Sequence, residues 1–309
     1  MKTLTIIEAP SNLGLSVPST GIEPGVRYFS KALLDAGFAR KLNVLDVSRI
    51  EPGPYSSNID EETQVRNANA IVDYSNSLSS AIYERLKKNL FSIVLGGDCS
   101  ILIGTTLALR KNGNYGLFFI DGHTDFILPE NSETAGAAGM ELAFVTGHGH
   151  SKLSNLLNLS PFIKEENVFC FGNREYIEWY VSLIENSRIN YYDLISIRKI
   201  GIPKIINDFL TIVKDRKLDG FWIHLDVDVL NDEIMPCVDS RAKDGLSYDE
   251  LKDALIPLLS SELARGIQTT ILDPTLDKDG ICIRGFCNMM VECFLARGHD
   301  KQADGYKKE

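Results

Sequence analysis

Asp121, His123 and Asp125 stand two residues apart at the point where the apolar run YGLFFI ends. In an extended chain, side chains two residues apart project to the same side, so these three should point together from the end of a buried strand. Two carboxylates and an imidazole are a costly way to fill a core, because buried charges need partners. A divalent metal ion supplies such a partner, since carboxylate and imidazole are common metal ligands.

A second segment repeats this spacing, with Asp226 and Asp228 directly after the apolar run GFWIHL. Together the two segments offer four carboxylates and one imidazole, an oxygen-rich set that favours manganese or magnesium over a structural zinc. These donors are too many for one ion with an open position, whereas two ions bridged by shared carboxylates and a hydroxide balance the charge. The competing explanation is that each Asp caps a following helix, which is common for a single Asp but not for two such clusters.

The elements that must hold these segments alternate between short apolar runs and longer amphipathic stretches. This alternation predicts a parallel sheet covered by helices on both faces, in which ligands collect at the carboxyl ends of the strands. Asp98 and Cys99 follow a third apolar run in the same way. The predicted strands are residues 3–7, 42–45, 91–95, 116–120, 167–171, 188–192, 220–225 and 266–272. The predicted helices are residues 26–36, 65–88, 101–110, 175–185, 202–213, 248–259 and 281–296, with a further one beginning at 142–145.

The composition fits one domain over residues 1–309, with a flexible tail at 298–309. Apolar residues make up 44% of the 309, enough for a full core, and no linker composition divides the chain. The formal charge of −10 comes from 32 basic and 42 acidic residues, without a basic stripe, which argues against nucleic acid or an anionic membrane as partner. No apolar run reaches the length of about 20 residues that spans a membrane.

The amino-terminal segment lacks the pattern of a signal peptide, which predicts a cytoplasmic protein. The cysteines show no CxxC spacing, and in a reducing compartment we expect most of them to be small buried apolar residues rather than disulfide partners. The six are Cys99, Cys170, Cys237, Cys282, Cys287 and Cys293.

Three motifs, in order, resemble the metal-binding motifs of the arginase/agmatinase (ureohydrolase) family, whose members read GGDHS, DAHxD and SxDxDxxDP. Here the motifs read Gly96-Gly97-Asp98-Cys99-Ser100, Asp121-Gly122-His123-Thr124-Asp125 and Asp226-Val227-Asp228. The resemblance covers most of the chain and includes Leu246 after Gly245, where the family has Gly-Gly-Leu, and Asp273-Pro274, where the family has Asn-Pro. It implies the family fold, an α/β protein built as a three-layer α/β/α sandwich with a mostly parallel, doubly wound sheet.

The resemblance also implies a binuclear centre of divalent metal ions, usually Mn²⁺. A hydroxide that bridges the ions would attack the guanidinium carbon, and the tetrahedral intermediate would collapse to an amine and urea. Asp125 is the residue that the resemblance assigns to pass a proton to the leaving amine. The implied ligands are Cys99 and Asp125 for the first ion, His123 and Asp228 for the second, and Asp121 and Asp226 as bridges between them.

Cys99 departs from the family, because it stands where the family has a His ligand. Thiolate is a softer donor that suits zinc, iron or cobalt better than manganese. Cys99 therefore binds the first ion weakly, changes the preferred metal, or packs in the core without binding a metal.

The recognition residues depart as well. Ala138 aligns with the family's proton-shuttling His, and the candidates to replace it are His148 and His150, ten and twelve residues further on. Ile271 aligns with the family's guanidinium-anchoring Glu. In and near the loop at residues 131–138, the candidate substrate-binding residues are Asn131, Thr134, Glu141 and Glu175.

These departures favour a substrate without free amino-acid ends, because charged ends left unpaired in a site are costly. We therefore expect a metal-dependent hydrolase that releases urea, most simply from arginine, free or within a peptide as in the peptide arginases, and leaves ornithine. The alternatives are agmatinase- or formiminoglutamase-like chemistry on another small guanidine, and a family member that binds metal with impaired catalysis, which Ala138 and Ile271 favour. Since the family is typically trimeric or hexameric, we also expect a homo-oligomer.

Overall fold

Eight parallel strands form a central sheet in the computed structural model, which describes residues 2–17 and 21–297. They are β1 (Leu4–Glu8), β2 (Asp46–Arg49), β3 (Phe91–Leu95), β4 (Gly116–Ile120), β5 (Val168–Phe171), β6 (Asn190–Tyr192), β7 (Phe221–Asp226) and β8 (Ala264–Thr270). Their order across the sheet is β2-β1-β3-β8-β7-β4-β5-β6, and every paired neighbour is parallel.

Helices cover both faces of this sheet, which makes the α/β/α sandwich that the sequence predicts. On one face lie α1 (Phe29–Asp35), α2 (Phe38–Lys41), α8 (Leu194–Ile200), α9 (Ile202–Asp215), α10 (Tyr248–Ser260) and α11 (Ile281–Ala296). On the other lie α3 (Ala68–Lys87), α4 (Ile101–Asn112), α5 (Glu141–Val145), α6 (Ser151–Ser154) and α7 (Glu178–Glu185).

The central strands are apolar throughout because each is buried on both faces. The first core lies between the sheet and helices α1, α2 and α8–α11, and the second lies between the sheet and helices α3–α7. In β4, Phe118 and Ile120 pack into the first core, whereas Leu117 and Phe119 pack into the second. This alternation anchors the strand from both sides, so the residues that follow it leave the sheet from a fixed position.

The chain enters the middle of the sheet twice, and this topology brings the acidic segments together. β7 and β8 lie between β3 and β4, so four strands that are far apart in sequence become neighbours in the order β3-β8-β7-β4. In parallel sheets, the carboxyl ends of such strands at the point where the strand order reverses are where ligands bind.

Several local predictions differ from the structure. The second strand is β2 at residues 46–49 rather than 42–45, because Leu42 is buried under the first core while the chain pairs with β1 only from Asp46 onwards. β2 is mostly exposed, as fits a short polar strand at a sheet edge. Helices α2, α6 and α8 were not predicted, although Asp193 marks the start of α8 by accepting a hydrogen bond from the Ser196 amide.

Within the described residues, no helix combines the length and the apolar character needed to cross a membrane. The six cysteines are all buried and free, as expected for small apolar residues. The tail predicted at 298–309 lies outside the described residues.

The centre of the first core gives a test of the packing. Phe209 of α9 contacts the rings of Phe118, Phe169 and Phe221 at centroid distances of 5.0, 5.2 and 5.1 Å. Phe209→Ala should lower the free energy of unfolding by about 3–5 kcal/mol, because it removes a buried ring and leaves a cavity. Ile195→Ala, at a side chain that is 64% exposed, should change it by no more than about 0.5 kcal/mol. Denaturant unfolding of both variants measures the difference, and equal losses would contradict this account of the core.

Candidate metal centre

The carboxyl ends of the four central strands deliver the predicted motif residues to one place. Cys99 follows β3, Asp121 follows β4, Asp226 ends β7, and Ile271 follows β8. Asp121 and Asp226 are 1% and 2% exposed, so the acidic groups meet in a region from which water is largely excluded.

The segment after β4 and the segment after β7 are joined by direct contacts. His123 Nδ1 lies 3.0 Å from Asp228 Oδ2 and 3.6 Å from Asp121 Oδ1. The Gly122 amide donates to Asp228 Oδ1 at 3.1 Å, and the Asp228 amide donates to Asp226 Oδ1 at 2.8 Å. These backbone bonds orient the carboxylates, so that the imidazole and the carboxylates converge as the two-residue spacing predicted.

Cys99 faces the same cluster from β3. Its thiol Sγ lies 2.7 Å from Asp226 Oδ2 and 3.0 Å from Thr270 Oγ1, and the side chain is fully buried. Asp98, the neighbouring acidic residue, has a different place: its Oδ2 accepts a hydrogen bond from the Ser11 hydroxyl at 2.6 Å. Asp98 therefore fixes the loop after β3, whereas Cys99 points at the carboxylates.

Three groups of side chains around Asp121 could each hold a metal ion, with ligand atoms within 4.8 Å of one another. Asp121 belongs to all three, so it is a candidate ligand in each of them. The groups are Asp121, His123 and Asp125; Asp121, Asp226 and Asp228; and Cys99, Asp121, Glu141 and His224.

The electrostatics of the site follow from these contacts. Burial alone would lower the pKa of His123, but the Asp228 and Asp121 carboxylates outweigh it and raise that pKa well above its usual value. Burial would raise the pKa of Asp121, but the contacts from His123 and His224 outweigh it and lower that pKa. Asp121, which the three groups share, is therefore stabilised as a carboxylate by its contacts with the two imidazoles.

Four other acidic groups are destabilised as anions. Burial first, and then repulsion from neighbouring carboxylates, raises the pKa of Asp125, Glu141, Asp226 and Cys99 well above their usual values. Asp121 Oδ2, both Glu141 carboxylate oxygens and His224 Nε2 are buried without a hydrogen-bond partner in the part of the chain that the structure describes. Buried acids without partners need a cation, so the residues present fit divalent metal ions.

Four of the predicted metal ligands, His123, Asp125, Asp226 and Asp228, line a cavity of about 230 Å³. Ile127, Ala138 and Ile271 contribute apolar surface to the same cavity. Asp125 and Ile271 both have left-handed backbone conformations, with φ of 44° and 75°. For a β-branched residue such as Ile271 this conformation is strained, and strain of this kind clusters at functional sites.

The structure does not place His148 or His150 at this cavity, which corrects their expected role in proton transfer. His148 is largely exposed, and its Nε2 lies 2.6 Å from Glu165 Oε1. His150 caps α6, since its Nδ1 accepts from the Lys152 amide at 3.3 Å. Both follow α5 in the chain, and the His148 ring packs against Phe126 at 5.1 Å, but neither His is among the described residues that line the cavity.

The candidate substrate residues are scattered. Glu141, expected to hold a cationic group of the substrate, is instead fully buried among the acidic groups and is not a cavity residue. Thr134 lines the cavity, as a substrate contact should. Asn131 is exposed and Glu175 half-buried, and neither contributes to the described lining.

Three residues that the sequence reasoning missed lie at the site. His224 precedes Asp226 by two residues on β7, so the spacing rule used for the motifs would have found it if extended by one step. Tyr180 lines the cavity, and its hydroxyl accepts from the Thr124 amide at 2.7 Å. Asp239 also lines it, and desolvation together with repulsion from Asp228 raises the pKa of Asp239 to about 6. No local pattern marks Tyr180 or Asp239 in the sequence.

Comparison with known proteins agrees with this geometry. The model of the arginase family matches residues 3–296 of the chain. An arginase of Staphylococcus aureus (strain COL) is 31% identical over 287 residues, which cover 90% of this chain and 92% of that protein. The solved structure of the arginase from Bacillus caldovelox superposes with a TM-score of 0.85 at 26% identity, over 95% of this chain and 98% of that one. A formimidoylglutamase from Bacillus subtilis shares the fold, with a TM-score of 0.74 at 20% identity over 96% and 87% of the two chains.

The raised pKa values of Asp125, Glu141 and Asp226 predict how bound metal and pH act together on stability. In the metal-free protein, the stability contributed by these groups is fully present below their unfolded pKa and is lost as the pH rises through their higher folded pKa. Bound cations remove this loss, and protons compete with cations for the same ligands. The rise in Tm caused by added divalent metal should therefore grow from about pH 5 to about pH 8.

Thermal unfolding followed by circular dichroism, with chelator or with metal, measures this rise at each pH. A rise in Tm that stays constant or shrinks towards alkaline pH would contradict the assignment of these acids as metal ligands.

Proposed function

The chain belongs to the arginase family, and on that premise we propose that it hydrolyses the guanidino group of arginine, free or within a peptide, to ornithine and urea. As a family member it is an arginase-like ureohydrolase. The observation that carries the proposal is the convergence of His123, Asp125, Asp226 and Asp228 on one cavity.

The residues for the cofactor divide into two sides around Asp121. His123 and Asp228 would hold one divalent ion, and Cys99 with Asp125 would hold the other, with Mn²⁺ the metal that the family resemblance implies. When bound, such a pair of ions lowers the pKa of water enough to supply a nucleophile near neutral pH. Asp228 keeps its carboxylate aligned through the Gly122 amide, and Asp125 lies in the cavity, where it can give a proton to the departing amine.

The charge of the site supports a cationic substrate. Five carboxylates and the Cys99 thiol surround the candidate ions, and two divalent cations would neutralise four of the six negative charges that these groups carry when all are ionised. Among the described residues that line the cavity, four are Asp and none is Lys or Arg. A planar guanidinium is attracted to such a site, whereas a carboxylate of the substrate finds no cation of the protein among those described lining residues. The volume of about 230 Å³ lies below the usual range of about 300–1,000 Å³ for ligand pockets, which suits one end of a slender side chain.

The apolar part of the cavity supports a substrate whose amino-acid ends are blocked. Ala138 and Ile271 stand where the resemblance implies a His and a Glu, and Ile127 adds a third apolar surface. Thr134 and Ser240 offer hydroxyl groups, but hydroxyls alone pair poorly with a free ammonium and carboxylate. This composition favours arginine within a peptide over the free amino acid.

Ala138 and Ile271 also favour the second candidate, a family member that binds metal but is catalytically impaired. Agmatinase- or formiminoglutamase-like hydrolysis of another small guanidine or amidine is the third. We further propose that residues 1–309 act as one domain, which the eight-stranded sheet spanning the described chain supports. A homo-oligomer and a cytoplasmic location stay predictions.

The candidates differ in what they hydrolyse. Urea release is measured with free arginine, an amide-blocked acetyl-arginine peptide, agmatine and guanidinobutyrate, each with Mn²⁺, Zn²⁺ or Co²⁺. The proposal expects urea from the arginine compounds, with the blocked peptide preferred. Urea from agmatine alone would favour the agmatinase-like alternative, and no urea with any metal would leave the impaired family member.

Asp228→Asn tests the ligand assignment. The variant should fold, because removing one of several repelling charges relieves the metal-free site. Its turnover should fall by at least about two orders of magnitude, since changes further from a metal already cost about 10–100-fold. Asp232→Asn is the matched control, because Asp232 pairs with Arg241 near the surface of the same loop. Metal content and urea release report the result, and unchanged turnover in Asp228→Asn would refute the site map.

Ile271→Glu tests how the guanidinium is held. A carboxylate at this cavity position should lower the KM for arginine by about tenfold, which corresponds to about 1.4 kcal/mol of added charge pairing. Ile271→Gln has nearly the same shape without the charge and is the control. If both variants change KM equally, the effect comes from shape, and the guanidinium does not lie beside residue 271.

A further inference from the structure

Two buried side chains without an assigned role, Glu141 and His224, complete a group of four with Cys99 and Asp121. The exposed fractions of Glu141 and His224 are both 0%. Both Glu141 oxygens, His224 Nε2 and Asp121 Oδ2 have no hydrogen-bond partner in the described structure. His224 Nε2 and Asp121 Oδ2 approach to 3.8 Å, which is too long for a hydrogen bond. Buried ionisable groups are strongly destabilising unless they are fully paired, so these unsatisfied atoms indicate a missing ligand.

The spacing of these side chains suits a single ion. Their four ligand atoms lie within 4.8 Å of one another, and His224 Nε2 is 3.8 Å from Asp121 Oδ2. Around a tetrahedral ion with bonds of about 2.0–2.3 Å, ligand atoms are about 3.3–3.7 Å apart. The side chains therefore need to close in by only about one ångström to coordinate an ion.

The surroundings of His224 favour a ring that binds metal through Nε2. Its Nδ1 lies 2.8 Å from Gln268 Nε2, while Gln268 Oε1 is buried without a partner among the described residues. Since the two ends of an amide are interchangeable in shape, rotating Gln268 lets Nδ1–H donate to Oε1 and leaves the Nε2 lone pair for a metal. Phe119 stacks on the ring at 4.6 Å and holds its plane. Ligand histidines are usually oriented in this way by a carbonyl-type acceptor.

The donors differ from those of the cavity side. One sulfur, one nitrogen and two carboxylates make a tetrahedral set of the kind that zinc prefers, whereas manganese prefers six oxygen-rich ligands. Cys99, Asp121, Glu141 and His224 are absent from the described cavity lining, while His123 and Asp228 belong to it. The two candidate metal sites therefore differ in the softness of their donor atoms and in their access to the cavity.

We propose that Cys99, Asp121, Glu141 and His224 form an enclosed site for a zinc-class ion, with Glu141 and His224 taking the place beside Cys99 that the family resemblance gives to Asp125. Asp125 then stays on the cavity side, so that the centre is an unequal pair with an open, oxygen-rich second site. The proposal rests on the proposed function, because that function requires a second ion on the cavity side. Glu141 and His224, however, lie outside the family's metal-binding motifs. Glu141 thereby changes from a substrate-binding candidate to a metal ligand.

Co²⁺ is the probe, because it occupies zinc sites and absorbs light according to its ligands. The chelator-treated full chain is titrated with Co²⁺, and a thiolate-to-cobalt charge-transfer band with intense tetrahedral d–d bands is expected. Cys99→Ser should lose the charge-transfer band. Glu141→Gln and His224→Ser should keep that band but bind Co²⁺ at least about tenfold more weakly, as measured by competition with a chromophoric chelator.

Cys293→Ser is the matched control, because this thiol is also buried but lies against Met289 on α11. Its spectrum and cobalt affinity should equal those of the unmodified chain. If a substituted protein does not fold, the ligands are instead measured on the unmodified, zinc-loaded chain by X-ray absorption at the zinc edge. We expect a shell of four ligands that includes one sulfur.

Bound cobalt or zinc without a sulfur ligand would overturn the proposal, and so would unchanged cobalt affinity in Glu141→Gln and His224→Ser. Failure of the proposed function looks different: the sulfur band would be present, but no guanidine would yield urea. Urea release with Mn²⁺ and no sulfur band would keep the function and refute the enclosed site.

Discussion

Repulsion among buried acidic groups is the main constraint on the stability of this fold. Cys99, Asp121, Asp125, Glu141, Asp226 and Asp228 are each at most 6% exposed and lie together at the carboxyl ends of neighbouring strands. Two like charges about 4 Å apart repel by about 4 kcal/mol even in a moderately polar environment, and a whole domain is stable by only about 5–15 kcal/mol. Full ionisation without cations would therefore exhaust the stability of the fold, so the acids must hold protons or metal ions.

The sheet resists this repulsion because its strands are fixed from both sides. β4 and β7 carry the acidic segments, and each is held by two strand neighbours and by an apolar core on each face. The aromatic cluster around Phe209 packs directly behind them. A flexible loop would move its carboxylates apart, whereas residues that leave a buried strand end have little freedom to do so. Burial of apolar side chains on both faces of the sheet therefore keeps the candidate ligands together in the metal-free protein.

A parallel sheet covered on both faces, with acidic side chains at the ends of its strands, could be predicted from the sequence because both features depend on local periodicity. Apolar strands and two-residue spacing are visible in any short window of the chain. The fate of Glu141 was not visible, because its burial depends on where α5 begins relative to β3 and β7. The same limit applies to His148 and His150, which are near Ala138 in sequence but contact Glu165 and the Lys152 amide instead of lining the cavity. The edge strand β2 was misplaced since its residues are mostly exposed and carry no apolar signal.

Ile271 shows how recognition can change while the backbone of a site stays. Its amide donates to the Gly97 carbonyl oxygen at 2.7 Å, which holds the turn after β8 in a left-handed conformation that costs a β-branched residue about 1–3 kcal/mol. The strained backbone aims an apolar side chain into the cavity beside the acidic cluster. An apolar surface there cannot pair with a guanidinium, but it excludes water and lowers the local dielectric constant. In that environment each attraction between the remaining carboxylates and a cationic substrate is stronger than in water. On the proposed function, the site therefore holds its substrate by the net negative charge of the metal cluster rather than by one dedicated ion pair.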